Sequence, residues 1–293
     1  MIPAISITGL TKNYGKICAV SDLNLEVGQG DAYCLLGPNG AGKSTTLNLM
    51  LGLTKADAGS IQLFGNSPHS IAARNATGNV AQDNDFPPNL TVLEVLELVR
   101  CHYPSPRPID ELIENFGLEQ LANRLTGGFS GGQRRRLALA LAFAGNGKIV
   151  FLDEPTTGLD SKTRKRFWEY SSQYLKQGGT LVVTTHHLDE IESIASRICL
   201  IDQGKVKLEG SVGEIQQRLG QKYIQFVCDR PPELSPVLQS SFEDGLCKIV
   251  TSNGDETIRQ LVHSGVAFSN LEIRNASLEE AIEKLTSVKE KAG

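Results

Sequence analysis

Long apolar runs are missing from this chain. No stretch approaches the ~20 consecutive apolar residues needed to cross a bilayer, and Met1-Ile2-Pro3-Ala4 offers neither the basic region nor the apolar core of an export signal. A soluble or peripheral protein is expected. Close cysteine pairs are missing as well: Cys18, Cys34, Cys101, Cys199, Cys228 and Cys247 show no metal-ligand spacing, and Cys34 sits inside an apolar run, so a reducing compartment is expected. Charge of one sign is scarce. The 29 Lys and Arg against 33 Asp and Glu leave a net charge of −4 and a pI near 5.8, which gives no electrostatic reason for general nucleic-acid binding. Internal repeats and low-complexity tracts are absent. At 293 residues the chain is near the size at which chains divide into more than one domain.

What is present begins with Gly37-Pro38-Asn39-Gly40-Ala41-Gly42-Lys43-Ser44-Thr45, preceded by the apolar run Ala32–Leu36 and followed by Thr46–Leu51. Strand, glycine-rich loop and helix start stand in the order that phosphate binding requires. Glycines let successive backbone N–H groups turn inward on phosphates, and the helix beginning near Gly42 adds its positive end. In such a P-loop Lys43 is expected to neutralise the β- and γ-phosphates and Ser44 to hold Mg²⁺. Downstream, Ile149–Leu152 reads as a strand buried on both faces that delivers Asp153 and Glu154 at its C-terminal end, where open α/β sheets bind ligands. Two such carboxylates can divide the labour, Asp153 steadying Mg²⁺ and Glu154 polarising an attacking water as general base. Taken alone, two acids ending a strand are more often solvated turn residues; paired with a P-loop they point to catalysis. Between these segments lies Phe129-Ser130-Gly131-Gly132-Gln133, followed by Arg134-Arg135-Arg136 and the helical run Leu137–Ala144. Ser-Gly-Gly at a helix start is a second anion-binding nest, with Ser130 as cap.

The set as a whole resembles the nucleotide-binding subunit of ATP-binding cassette (ABC) transporters over roughly residues 1–220. The Ser-Gly-Gly triplet sits where that family has its signature motif, with Phe129 in place of the usual leucine and still apolar. By the same resemblance Tyr14, in Lys12-Asn13-Tyr14-Gly15, is the aromatic that stacks on adenine. Gln82, in Val80-Ala81-Gln82-Asp83, reaches Mg²⁺ and the attacking water and relays nucleotide state to the membrane partner. Asp160, in Gly158-Leu159-Asp160, belongs to the loop that crosses between protomers. His186, in Thr184-Thr185-His186-His187, contacts the γ-phosphate.

The resemblance implies an α/β fold of ABC ATPase type: a RecA-like core, an antiparallel β subdomain and a helical subdomain at about residues 87–136. It implies ATP and Mg²⁺ as ligands, and ATP hydrolysis coupled to transport through a separate integral-membrane permease subunit. It places the protein in the cytoplasm, peripheral on the cytoplasmic face of the membrane. In that family the signature of one subunit closes on the ATP held by the P-loop of the other. This chain carries one of each motif, so a homodimer or an ABC ATPase heterodimer is expected.

Beyond about Gln221 the texture changes. Tyr223–Val227, Lys248–Val250 and Leu271–Arg274 read as strands, Glu256–Val262 and Leu278–Leu285 as helices, and prolines break the chain at Arg230-Pro231-Pro232 and Ser235-Pro236. A small α+β accessory domain over 221–293 is expected. The Ser277-Leu278-Glu279-Glu280 stretch is similar to tails of ABC-2 type exporter ATPases and tilts the reading toward export. The alternative is a soluble ABC ATPase in a non-transport role such as cofactor assembly. A second cassette or a coiled-coil insertion, expected of the translation and repair types, is absent.

Overall fold

The computed structural model describes residues 2–80, 84–185, 188–219, 221–275 and 280. The chain divides into two compact units, Met1–Glu209 and Gly210–Gly293. The division falls before the helix that precedes Gln221, where the sequence texture changes.

In the first unit, strands β1 (Ile5–Tyr14), β2 (Ile17–Val27), β3 (Ala32–Leu36), β4 (Ala58–Leu63), β5 (Thr77–Val80), β6 (Ile149–Asp153), β7 (Thr180–Thr184), β8 (Arg197–Asp202) and β9 (Lys205–Gly210) form two sheets. Helices α1 (Lys43–Met50), α2 (Ile71–Asn75), α3 (Val92–Arg100), α4 (Ile109–Asn115), α5 (Gly131–Ala144), α6 (Ser161–Lys176) and α7 (Leu188–Glu192) connect and cover them. One sheet is antiparallel, in the order β2-β1-β4. Its apolar residues alternate, Leu23, Leu25 and Val27 being buried while their neighbours are exposed, as befits a sheet with one dry face. β1 runs unbroken from Ile5 to Tyr14. Register shifts around Gly9 break the period of two that marks a strand.

The larger sheet has the order β5-β6-β7-β3-β8-β9, with β5 through β8 parallel. Every residue of β3 and β7 and all but the last of β6 is buried, because helices cover both faces of a parallel sheet. The two sheets share a core of Ile5, Leu25, Leu35, Leu49, Met50, Phe151, Val182 and Ile201, among others. Gln203 and Gly204, both at positive φ (50° and 71°), turn the chain from β8 back into β9. The helical segment is held by rings: Phe143 lies 5.7 Å from Phe116, 5.1 Å from Tyr170 and 5.2 Å from Tyr174.

The second unit holds α8 (Val212–Leu219), β10 (Lys222–Cys228), β11 (Gln239–Glu243), β12 (Leu246–Thr251), α9 (Gly254–His263) and β13 (Phe268–Asn275). Its antiparallel sheet has the order β11-β12-β10-β13. Ile224, Phe226, Cys228, Cys247, Ile249 and Leu261 of α9 form its core. Burial, and then the neighbouring Cys228, pushes the Cys247 thiol up to about 11. The expected helix Leu278–Leu285, with Ser277 and Glu279, lies outside the described residues except for Glu280.

Candidate nucleotide-binding site

Strand order brings the site together. β6, β7 and β3 are consecutive neighbours and run parallel, so the segments that leave their carboxyl ends meet on one edge of the sheet. β3 delivers the loop Gly37–Gly42, β6 delivers Asp153 and Glu154, and β7 delivers Thr184.

The loop is closely bedded. A Cβ on Gly37 would stand 2.1 Å from the Ile201 carbonyl oxygen, and one on Gly42 would stand 2.4 Å from the Ala19 carbonyl oxygen. Gly37, Gly40 and Gly42 all have positive φ, at 150°, 80° and 103°. The Gly204 N–H donates to the Ala41 carbonyl at 2.9 Å and ties the loop to the β8–β9 turn. Lys43 opens α1, and its Nζ donates to the loop's own carbonyls at Gly37 (2.6 Å) and Pro38 (3.0 Å). Burial lowers the Lys43 pKa, and the nearby carboxylates Glu154 and Asp153 oppose that shift.

Across from the loop, Ser44 Oγ donates to Asp153 Oδ2 at 3.4 Å, and the Thr184 hydroxyl donates to Asp153 Oδ1. Asp153 Oδ2 and Ser44 Oγ are hard oxygen donors on facing elements, the kind of pair that suits Mg²⁺. Glu154 has a left-handed backbone, φ 48°, and its N–H donates to both the carbonyl (3.0 Å) and the hydroxyl (3.2 Å) of Thr184.

Ser130 caps α5 in a reciprocal box: its Oγ accepts from the Gln133 N–H at 3.3 Å, while Gln133 Oε1 accepts from the Ser130 N–H at 3.0 Å. Gly131 and Gly132 line a cavity of about 740 Å³ together with Asn39 of the loop, Arg135, Glu154 and Gly158. Tyr14 is half exposed at the end of β1, with Lys12 Nζ 5.4 Å from its ring centre and Lys12 held by Asp57 at 3.1 Å. Asp160 caps α6, accepting from the Thr163 N–H at 2.8 Å and its hydroxyl at 2.9 Å; the backbone bond chiefly holds this carboxyl below the usual range. Tyr14 and Asp160 thus sit on other elements, at the end of β1 and at the cap of α6. Gln82 and His186 lie outside the described residues. Among the described residues no group of three or more His, Cys, Asp or Glu is placed to hold a metal by itself.

Two residues of the site went unread in the sequence. Thr184 binds Asp153 and the Glu154 N–H, and its only signal is a hydroxyl closing a strand whose middle, Leu181–Val183, is apolar. Arg135 is buried and donates to the carbonyls of Asp153, Glu154 (2.6 Å) and Pro155 (3.0 Å). An arginine triplet of which the middle member faces the core leaves no linear pattern to notice.

A parallel sheet with a glycine loop after a central strand, a lysine and serine opening the next helix and a carboxylate pair at the end of the next strand but one define a P-loop nucleoside triphosphatase. Residues 20–157 match the family model described as ABC transporter. The Nod factor export ATP-binding protein I of Rhizobium sp. (strain N33) is 35% identical over 295 residues, which span 97% of this chain and 97% of that protein. The daunorubicin/doxorubicin resistance ATP-binding protein of Streptomyces peucetius is 37% identical over 230 residues, 76% of this chain and 69% of that protein. Among solved structures, a dimeric ATP-binding cassette in a post-hydrolysis state with ADP and Pi superposes with a TM-score of 0.64 at 29% identity, covering 71% of this chain and 98% of that one. An ATP-binding subunit of an ABC transporter, at 24% identity, shares the fold with a TM-score of 0.70 over 74% of this chain and 93% of its own length. The chain belongs to the ABC transporter family, as an ATP-binding subunit with ATPase activity.

Proposed function

We propose that this subunit powers export through a separate membrane protein, hydrolysing ATP at two sites shared head to tail between paired ATPase subunits. The observation that carries the reading is the meeting of Lys43, Ser44, Asp153 and Glu154 at the carboxyl ends of β3 and β6, which flank β7, in a chain whose full-length relative is named as an export ATP-binding protein. No helix among the described residues is long and apolar enough to cross a membrane, so on this reading the pathway for cargo lies in another chain.

The roles of the loop, Lys43, Ser44, Asp153 and Glu154 are argued from chemistry and position, and those of Tyr14, Gln82, Ser130–Gln133, Asp160 and His186 from the resemblance to ABC ATPases. Gly37, Pro38, Asn39, Gly40, Ala41 and Gly42 wrap the phosphates with backbone N–H groups, and Thr45 continues the N-terminal turn of α1 below them. Lys43 exchanges its loop carbonyls for the β- and γ-phosphates. Ser44 and Asp153, with Gln82, would hold Mg²⁺, which offsets phosphate charge when bound. Glu154 takes a proton from the attacking water, and His186 steadies the γ-phosphate. Tyr14 offers its exposed ring to adenine. The nest of Ser130, Gly131, Gly132 and Gln133 closes over the nucleotide held by the other subunit, with Asp160 in the loop between them. Binding then closes the pair and hydrolysis lets it reopen.

The test is a pull-down. Tagged Glu154→Gln protein, loaded with ATP and mixed with detergent-solubilised membranes of its own cell, is expected to retain a polytopic membrane protein. Recovery of soluble partners alone would turn the reading toward a non-transport role.

A further inference from the structure

Arg135 lies just past the first turn of α5, the helix that Ser130 caps, and is 6% exposed. Its guanidinium is directed at backbone. Nε donates to the Pro155 carbonyl at 3.0 Å, and Nη2 donates to the carbonyls of Glu154, at 2.6 Å, and Asp153. Three successive carbonyls at the end of β6 thus fall to a single forked donor. Thr184 holds the same turn from the other side through the Glu154 N–H. Between them sits the left-handed backbone of Glu154, a conformation uncommon for a residue with a Cβ. Burial lowers the Arg135 pKa, and the attraction of Asp153 and Glu154 opposes the shift, so a buried cation is compensated where it stands.

We propose that Arg135 is a positioning residue for hydrolysis: its three-carbonyl clamp sets the turn that presents the Glu154 carboxylate to the cavity shared with Asn39, Gly131 and Gly132. Arg135 acts from the second turn of the helix that carries the Ser-Gly-Gly nest. Any shift of the helix start is therefore felt at the base of the same chain. A lysine could keep the charge but not the fork, because one ammonium cannot reach the three carbonyls in the plane that a guanidinium spans. The inference rests on Glu154 serving as general base.

The test uses the purified full chain. Arg135→Met keeps volume and removes every donor, Arg135→Lys keeps only charge, and each is compared with the parent for kcat, KM, ATP affinity and melting temperature. Loss of positioning predicts a kcat at least about tenfold lower in Arg135→Met, with KM and ATP affinity within about threefold, and an intermediate kcat in Arg135→Lys. Adding Arg135→Met to Glu154→Gln is expected to leave the residual rate where Glu154→Gln alone puts it, since the group acted upon is already gone. A kcat within about twofold of the parent, or a loss carried by KM, or a further drop in the double variant, would overturn the proposal. If Arg135→Met does not fold, Arg135→Lys and Arg135→Gln carry the same comparisons. Parent-like turnover in Glu154→Gln would instead remove the base on which the inference rests, an outcome distinct from failure of the Arg135 variants alone.

Discussion

Gly37 and Gly42 have no room for a side chain, and each is crowded by a carbonyl from elsewhere in the fold, Ile201 for the first and Ala19 for the second. The phosphate loop is therefore bedded against both sheets, on β8 of the parallel one and β2 of the antiparallel one. Gly37→Ala would drive a methyl group to 2.1 Å from the Ile201 oxygen at a φ of 150°. We expect a loss of more than about 1 kcal/mol in stability together with loss of ATP binding, read from a thermal melt and a nucleotide titration. An unchanged melt with normal affinity would show that the loop is not seated as described. Lys43 illustrates a different constraint. Its Nζ already rests on two carbonyls of its own loop, so the ammonium is held within the loop and not left loose in solvent.

Among the elements, α3 shows how local chemistry positions the helical segment. Thr91 accepts from the Glu94 N–H at 3.3 Å and Glu94 accepts from the Thr91 N–H at 2.8 Å, a complete capping box at the start of the helix. Thr91→Ala is expected to cost about 1 kcal/mol of stability while leaving ATP affinity alone, measured by chemical denaturation and titration. A matching fall in affinity would mean that α3 is coupled to the loop. The buried strands β3 and β6 were legible as apolar runs, and the site residues that follow them were legible because spacing in the P-loop and the acid pair has a mechanical reason. β11 was not legible: Gln239-Ser240-Ser241-Phe242-Glu243 is mostly polar, fully exposed, and a strand only because β12 pairs with it. Arg135 and Thr184 escaped for a related reason, since their partners are backbone atoms or carboxylates 18 to 31 residues away, brought close by the packing of α5 beside the end of β6 for Arg135 and by the parallel register of β6 and β7 for Thr184. Where function depends on what the fold brings opposite, the linear pattern is silent.

At the scale of the whole molecule, one chain supplies one phosphate loop and one Ser-Gly-Gly nest. Two complete sites then require two subunits, and a variant that binds ATP without splitting it should hold them together. The proposed sandwich makes Glu154→Gln the most informative reagent, because the loop, Lys43 and the nest all remain intact. Sedimentation velocity of that variant with and without ATP and Mg²⁺ addresses the pairing directly. A shift from monomer to dimer on adding ATP, absent with ADP and abolished by a second change at Gly131 in the nest, is the expected result. A species that stays monomeric while saturated with ATP would contradict the head-to-tail site.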